Sequence, residues 1–67
     1  MKLTDAQLIR LSQIVNGREH NHGNALAALE RKGLVYEKVG PGFAYKHSHA
    51  ATQCGIDALA RARRVGW

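Results

Sequence analysis

The sequence has one cysteine, one proline, one tryptophan and one phenylalanine in 67 residues, and only five acidic side chains. A single thiol, Cys54, excludes an intramolecular disulfide framework and every zinc site built from two or more thiolates. A reducing compartment suits such a chain, so a cytoplasmic location is expected. The lone proline, Pro41, stands between two glycines, where no strand ladder needs its missing amide proton. No apolar run approaches the roughly 18 residues that span a bilayer, and the N-terminus has neither the apolar stretch nor the cleavage site of a signal peptide, so no membrane partner is expected. The shortage of acidic groups leaves ten Lys and Arg against five Asp and Glu, a formal net charge of +5. That excess favours polyanions or acidic protein surfaces as partners.

A chain of this length holds one small core and no separate substrate or cofactor domain. Leu, Ile, Val and Phe number 15, enough for a folded domain of thin stability. Thr4-Asp5-Ala6-Gln7 reads as a capping box, with Leu3 and Leu8 at staple positions. Leu8, Leu11, Ile14 and Val15 recur at helical spacing, which predicts an amphipathic helix from about Asp5 to Val15, stopped at Asn16-Gly17. Ile9 falls off that stripe, either as an edge-of-core residue or as a partner contact. Arg18 to Gly23 contains no apolar residue and reads as a loop or at most a single turn.

Asn21 is then the expected cap of a second helix from about His22 to Lys32, with Leu26 and Leu29 inward. Gly33 ends it, and Leu34 is placed for the apolar contact of a Schellman cap. Leu34–Val39 and Phe43–His47 predict a hairpin about Gly40-Pro41-Gly42. A last helix begins near Ala50 or Thr52, with Thr52 as cap, Ile56, Leu59 and Ala60 inward, and Asp57 and Arg61 as an i, i+4 pair. Gly55 in its first turn implies a close approach of that helix to the hairpin. The order helix-helix-strand-strand-helix makes one α+β domain over residues 1–67, without repeat or linker.

The string Ala28-Leu29-Glu30-Arg31-Lys32-Gly33-Leu34-Val35, a glycine turn, and then Thr52-Gln53-Cys54-Gly55-Ile56-Asp57-Ala58-Leu59 resembles prokaryotic winged-helix regulators of the multiple-antibiotic-resistance type. In that family a recognition helix ends in a pattern like L-x-x-x-G-L-V, a β wing follows, and the next helix opens with T-x-x-G-x-x-x-L. The resemblance covers about residues 24–63 and implies a winged-helix-like fold. It departs from the family in one element: a regular helix-turn-helix has a short helix before the recognition helix, and only Arg18 to Gly23 is available for it.

The function implied by the resemblance is a small non-enzymatic protein that binds double-stranded DNA, a transcriptional regulator or an accessory factor of a phage or mobile element. Helix 22–32 would approach the major groove, with Asn24, Ala27, Ala28 and Arg31 outward. Asn24 suits adenine and Arg31 guanine or phosphate, while alanines touch only thymine methyl groups. Lys38 and Lys46 would lie on the wing. Arg18, Lys32, Arg61, Arg63 and Arg64 complete the set of cations expected to meet phosphates. The alternative is a protein-interaction module, such as a small phage-encoded adaptor or inhibitor, that meets an acidic protein surface. Ile9, Ala27 and Ala28 are the expected contacts for such a partner or for a homodimer.

Other chemistries have less to stand on. His20-x-His22 and His47-x-His49 offer metal-ligand atoms, and on a strand His47 and His49 would share a face. With no Cys-x-x-Cys or His-Glu-x-x-His spacing, neither a metal nor another cofactor is expected. Cys54 lacks a defined base and pocket for nucleophilic catalysis. Tyr36, Phe43, Tyr45 and Trp67 are either core aromatics or a stacking platform for unpaired bases.

Overall fold

The computed structural model describes residues 3–38, 42 and 44–64. Three helices, α1 (Asp5–Val15), α2 (Asn24–Arg31) and α3 (Gln53–Arg64), surround a two-stranded antiparallel sheet of β1 (Val35–Glu37) and β2 (His49–Ala51). The order along the chain is α1, α2, β1, β2, α3, the α+β arrangement expected. Val39, Gly40, Pro41, Phe43 and Trp67 lie outside the described residues.

Local chemistry sets most of the boundaries. The Thr4 hydroxyl accepts from the Gln7 amide at 3.2 Å, and the Gln7 side chain accepts from the Thr4 amide at 3.1 Å. This reciprocal capping box starts α1 and satisfies two amides that the first turn leaves without partners. Both α1 and α2 end in Schellman caps. Gly17 and Gly33 take φ of 70° and 72°, where a side chain would be strained. Arg18 N–H then donates to the Gln13 carbonyl, and Leu34 N–H to the Leu29 carbonyl. The second cap turns the chain directly into β1 and buries Leu34.

Leu8, Leu11, Ile14, Leu26, Leu29, Leu34, Val35 and Leu59 form one core. Helix α1 is its spine, packing on α2, α3 and β2. On α3 the inward stripe is Gly55, Ala58, Leu59 and Ala62, not the expected Ile56, Leu59 and Ala60. Ile56 is 43% exposed. Gly55 is the reason: its Cα sits so close to the Leu34 carbonyl that a Cβ would overlap the oxygen, and the Leu11 side chain lies on the same side. With Gly55 turned inward, Ile56 points about 100° away. Thr52 fixes the start of α3 as expected. Its hydroxyl accepts from the Gly55 amide at 3.1 Å and donates to the Gly33 carbonyl at 2.7 Å, tying α3 to the end of α2.

The hairpin differs from the sequence expectation. Its second strand is His49–Ala51, in register Val35 with Ala51, Tyr36 with Ala50 and Glu37 with His49. Tyr45–His47 form a 3-10 turn instead. Ala51, on the face of Val35, is short enough to let the sheet approach α1, a tertiary fit that outweighs the higher strand propensity of the aromatic segment. Helix α2 also begins two residues late, at Asn24, with Gly23 rather than Asn21 at the cap position and no side-chain cap bond. The Asn21 carbonyl instead accepts from the Arg10 guanidinium. Residues 18–22 are drawn out toward the hairpin and contain no helix.

Candidate functional site

The cations expected to meet phosphates fall into two groups. Arg18, Arg31, Arg61, Arg63 and Arg64 are exposed, and their guanidinium groups form no ion pair with a described residue. Arg61, Arg63 and Arg64 occupy the last turn of α3. At about 100° per residue they fan over about 160° of that helix, with Arg64 opposite Gly55. The expected Asp57–Arg61 pair does not form; Asp57 accepts from Gln53 at 3.1 Å.

The lysines are more engaged. Lys32 is half-buried, and its ammonium donates to the Gln7 side-chain Oε1 at 3.2 Å, so it is turned toward the start of α1. Lys46 lies on the 3-10 turn, not on a strand, with its Nζ 4.0 Å from the Glu19 carboxylate. Lys38 follows β1, where its amide donates to the Ser48 carbonyl at 2.7 Å and closes the base of the hairpin loop.

Helix α2 presents Asn24, Ala27, Glu30 and Arg31 outward. Ala28 does not belong to that face. It is 8% exposed, because α1 packs against the flank of α2 and turns the inward direction toward Ala25 and Ala28. Ile9 is 51% exposed and borders a shallow depression of about 200 Å³ lined by Ser12, Gln13, Asn16 and Arg18.

A third assembly joins residues that the sequence keeps far apart. His20 and His49 are 2% and 4% exposed, and with His22 they place one ring nitrogen each within 4.8 Å of one another. His47 is not a member. His49 opens β2 on the face shared with Val35 and Ala51, whereas His47 ends the 3-10 turn, so the two do not share a strand face.

Backbone and ring contacts hold the assembly. The His20 amide donates to the Lys46 carbonyl at 2.9 Å. The His22 ring stacks on Tyr45 with centroids 3.8 Å apart. Burial, then the neighbouring His49 and His22 rings, hold the His20 imidazole below its ordinary pKa. The backbone of Arg18 acts weakly the other way, from a position short of hydrogen-bonding either ring nitrogen. The one legible signal for this site was a pair of histidines in a six-residue segment without an apolar residue. Their meeting with His49 depends on the hairpin register.

No protein family, curated protein or solved structure matches the chain. Among the described residues no helix is long and apolar enough to cross a membrane.

Proposed function

We propose that this chain is a small non-enzymatic domain that binds double-stranded DNA, largely through its phosphates. The observation that carries the reading is the set of five exposed arginines, Arg18, Arg31, Arg61, Arg63 and Arg64, without a carboxylate partner among the described residues on a chain of net charge +5. Guanidinium groups left in solvent cost nothing to desolvate from an existing partner, and each phosphate they neutralise releases counterions. The winged-helix resemblance gives α2 the reading role. There Asn24 and Arg31 are the side chains suited to base edges or phosphates, and Ala27 contributes a methyl. With so sparse a reading face, affinity is mainly electrostatic and sequence preference weak. A role as a transcriptional regulator or accessory factor follows from the same resemblance.

The test is binding of a fluorescent duplex by wild type and Arg31→Ala. The variant loses affinity and lowers the salt slope by about one. An unchanged slope removes α2 from the interface.

One observation favours a second reading, a protein-interaction module: Ile9 is half exposed beside the depression on α1. In that case Ile9→Ser abolishes a complex with an acidic protein surface, or self-association, and leaves duplex binding intact.

A further inference from the structure

Burying an imidazole without partners is costly, because a neutral ring carries one donor and one acceptor and each needs a partner. Here both nitrogens of His20 and the Nε2 of His49 are buried with no hydrogen-bond partner among the described residues. Three nitrogen donors of the same chemistry nevertheless converge, from two segments about 27 residues apart in the chain. They come from the stretch between α1 and α2 and from the first residue of β2.

The hydrogen bonds around the cluster determine which lone pairs face it. His22 Nε2 lies 2.8 Å from the Tyr45 carbonyl oxygen. A carbonyl only accepts, so Nε2 carries the proton and Nδ1 keeps the lone pair. His49 Nδ1 lies 2.8 Å from the Ser48 hydroxyl, which also lies 2.8 Å from His22 Nε2. With Nδ1 donating to that hydroxyl, His49 offers Nε2. Outer contacts of this kind, from the second nitrogen of a ring to a backbone carbonyl or hydroxyl, orient metal-binding histidines.

A carboxylate completes the surroundings. Glu30 Oε1 is 3.2 Å from His49 Nε2, yet off the line of a hydrogen bond, since that nitrogen has no such partner. Two ligand atoms bound tetrahedrally to one zinc ion at about 2.0–2.1 Å are about 3.3 Å apart. The Glu30–His49 separation of 3.2 Å is close to one edge of such a site. One ring nitrogen from each of the three histidines lies within 4.8 Å of the others, the convergence that a single ion requires.

We propose that His20, His22 and His49 bind one divalent ion of the zinc class, with Glu30 as the carboxylate at its fourth position. Neutral imidazoles with one carboxylate suit Zn²⁺ and exclude the all-oxygen coordination of Mg²⁺ and Ca²⁺. The ion clamps residues 18–23 to the hairpin and holds Glu30, the one acid on the outer face of α2, away from any partner of that face. The site does not depend on the DNA-binding proposal. Either can fail alone.

The experiment is a Zn²⁺ titration of the full chain against a chromophoric chelator, with Mg²⁺ as control. It is followed in parallel by the imidazole nitrogen resonances of the uniformly labelled chain. One Zn²⁺ per chain is expected, with His20, His22 and His49 shifting and His47 unmoved. His22→Gln should weaken binding by more than the roughly 10- to 100-fold that loss of an outer-shell partner costs, and His47→Ala should leave it unchanged. The resonance assignment on the unaltered chain decides the matter even where a variant fails to fold. Absence of Zn²⁺ binding, or shifts at His47 in place of the three clustered rings, overturns the proposal.

Discussion

The ring of His22 lies flat on that of Tyr45, 3.8 Å between centroids and 17° between planes, and its Nε2 donates to the carbonyl of the same tyrosine. One residue of the hairpin loop thus fastens the segment between α1 and α2 twice, once by stacking and once by its backbone. The side chain of Tyr45 is largely solvent-exposed, so its role is that contact and not core filling. Tyr45→Ala should cost about 0.5–1.5 kcal/mol in denaturant unfolding, and Tyr45→Phe close to nothing, since the stacking ring remains. Equal losses in the two variants would mean that the hydroxyl, not the stack, matters.

A glycine inside a helix is ordinarily improved by alanine, by roughly 0.5–1 kcal/mol. At Gly55 the sign reverses, because the added Cβ would overlap the Leu34 carbonyl and press on Leu11. Gly55→Ala should destabilise by about 1–3 kcal/mol, the range for overpacking a tight contact. A stabilised variant would place α3 further from β1 than described.

Thr52 uses one hydroxyl for two tasks, capping α3 through the Gly55 amide and bonding the Gly33 carbonyl. Thr52→Val keeps the shape and removes both bonds. The expected loss is about 1–2 kcal/mol, at the upper end for a single cap. Serine at this position should recover most of it.

Much of this architecture can be read from the chain because it is written in local chemistry. The Thr4–Gln7 box, the glycines that end α1 and α2, and Thr52 each act within a few residues. What could not be read was set by contacts distant in sequence. The strand at His49–Ala51 is short and alanine-rich, and it pairs because α1 accepts it. Ala28 turns inward because α1 covers that flank of α2, and Ile56 turns outward because Gly55 must face Leu34. The histidine cluster compounds these effects. It needs the late start of α2, the 3-10 turn and the shifted strand all at once, so spacing alone paired His20 with His22 and His47 with His49 and could not bring His49 to the first pair.

Acid should weaken the metal-free fold. Burial, with His49 and His22 beside it, holds the folded-state pKa of His20 below the ordinary 6.5. The unfolded chain therefore binds more protons as pH falls through that value, and stability rises with pH across the same interval. The contribution is fully present above about pH 6.5 and is lost as pH falls from there toward the depressed folded value. In chelator, the denaturation midpoint should drop between about pH 7.5 and about pH 5.5, and drop less in His20→Gln. A midpoint equal at the two pH values would show the ring to be freely solvated.

Whether the unpaired arginines serve a nucleic-acid phosphate backbone is read from the salt dependence of duplex binding. If all five meet phosphates, the logarithm of the binding constant should fall against the logarithm of salt concentration with a slope of about −4 to −5. Loss of Arg31 should reduce that slope by about one. Failure to bind any duplex at low salt, where a chain of net charge +5 has its greatest electrostatic advantage, would mean that these arginines do not serve DNA.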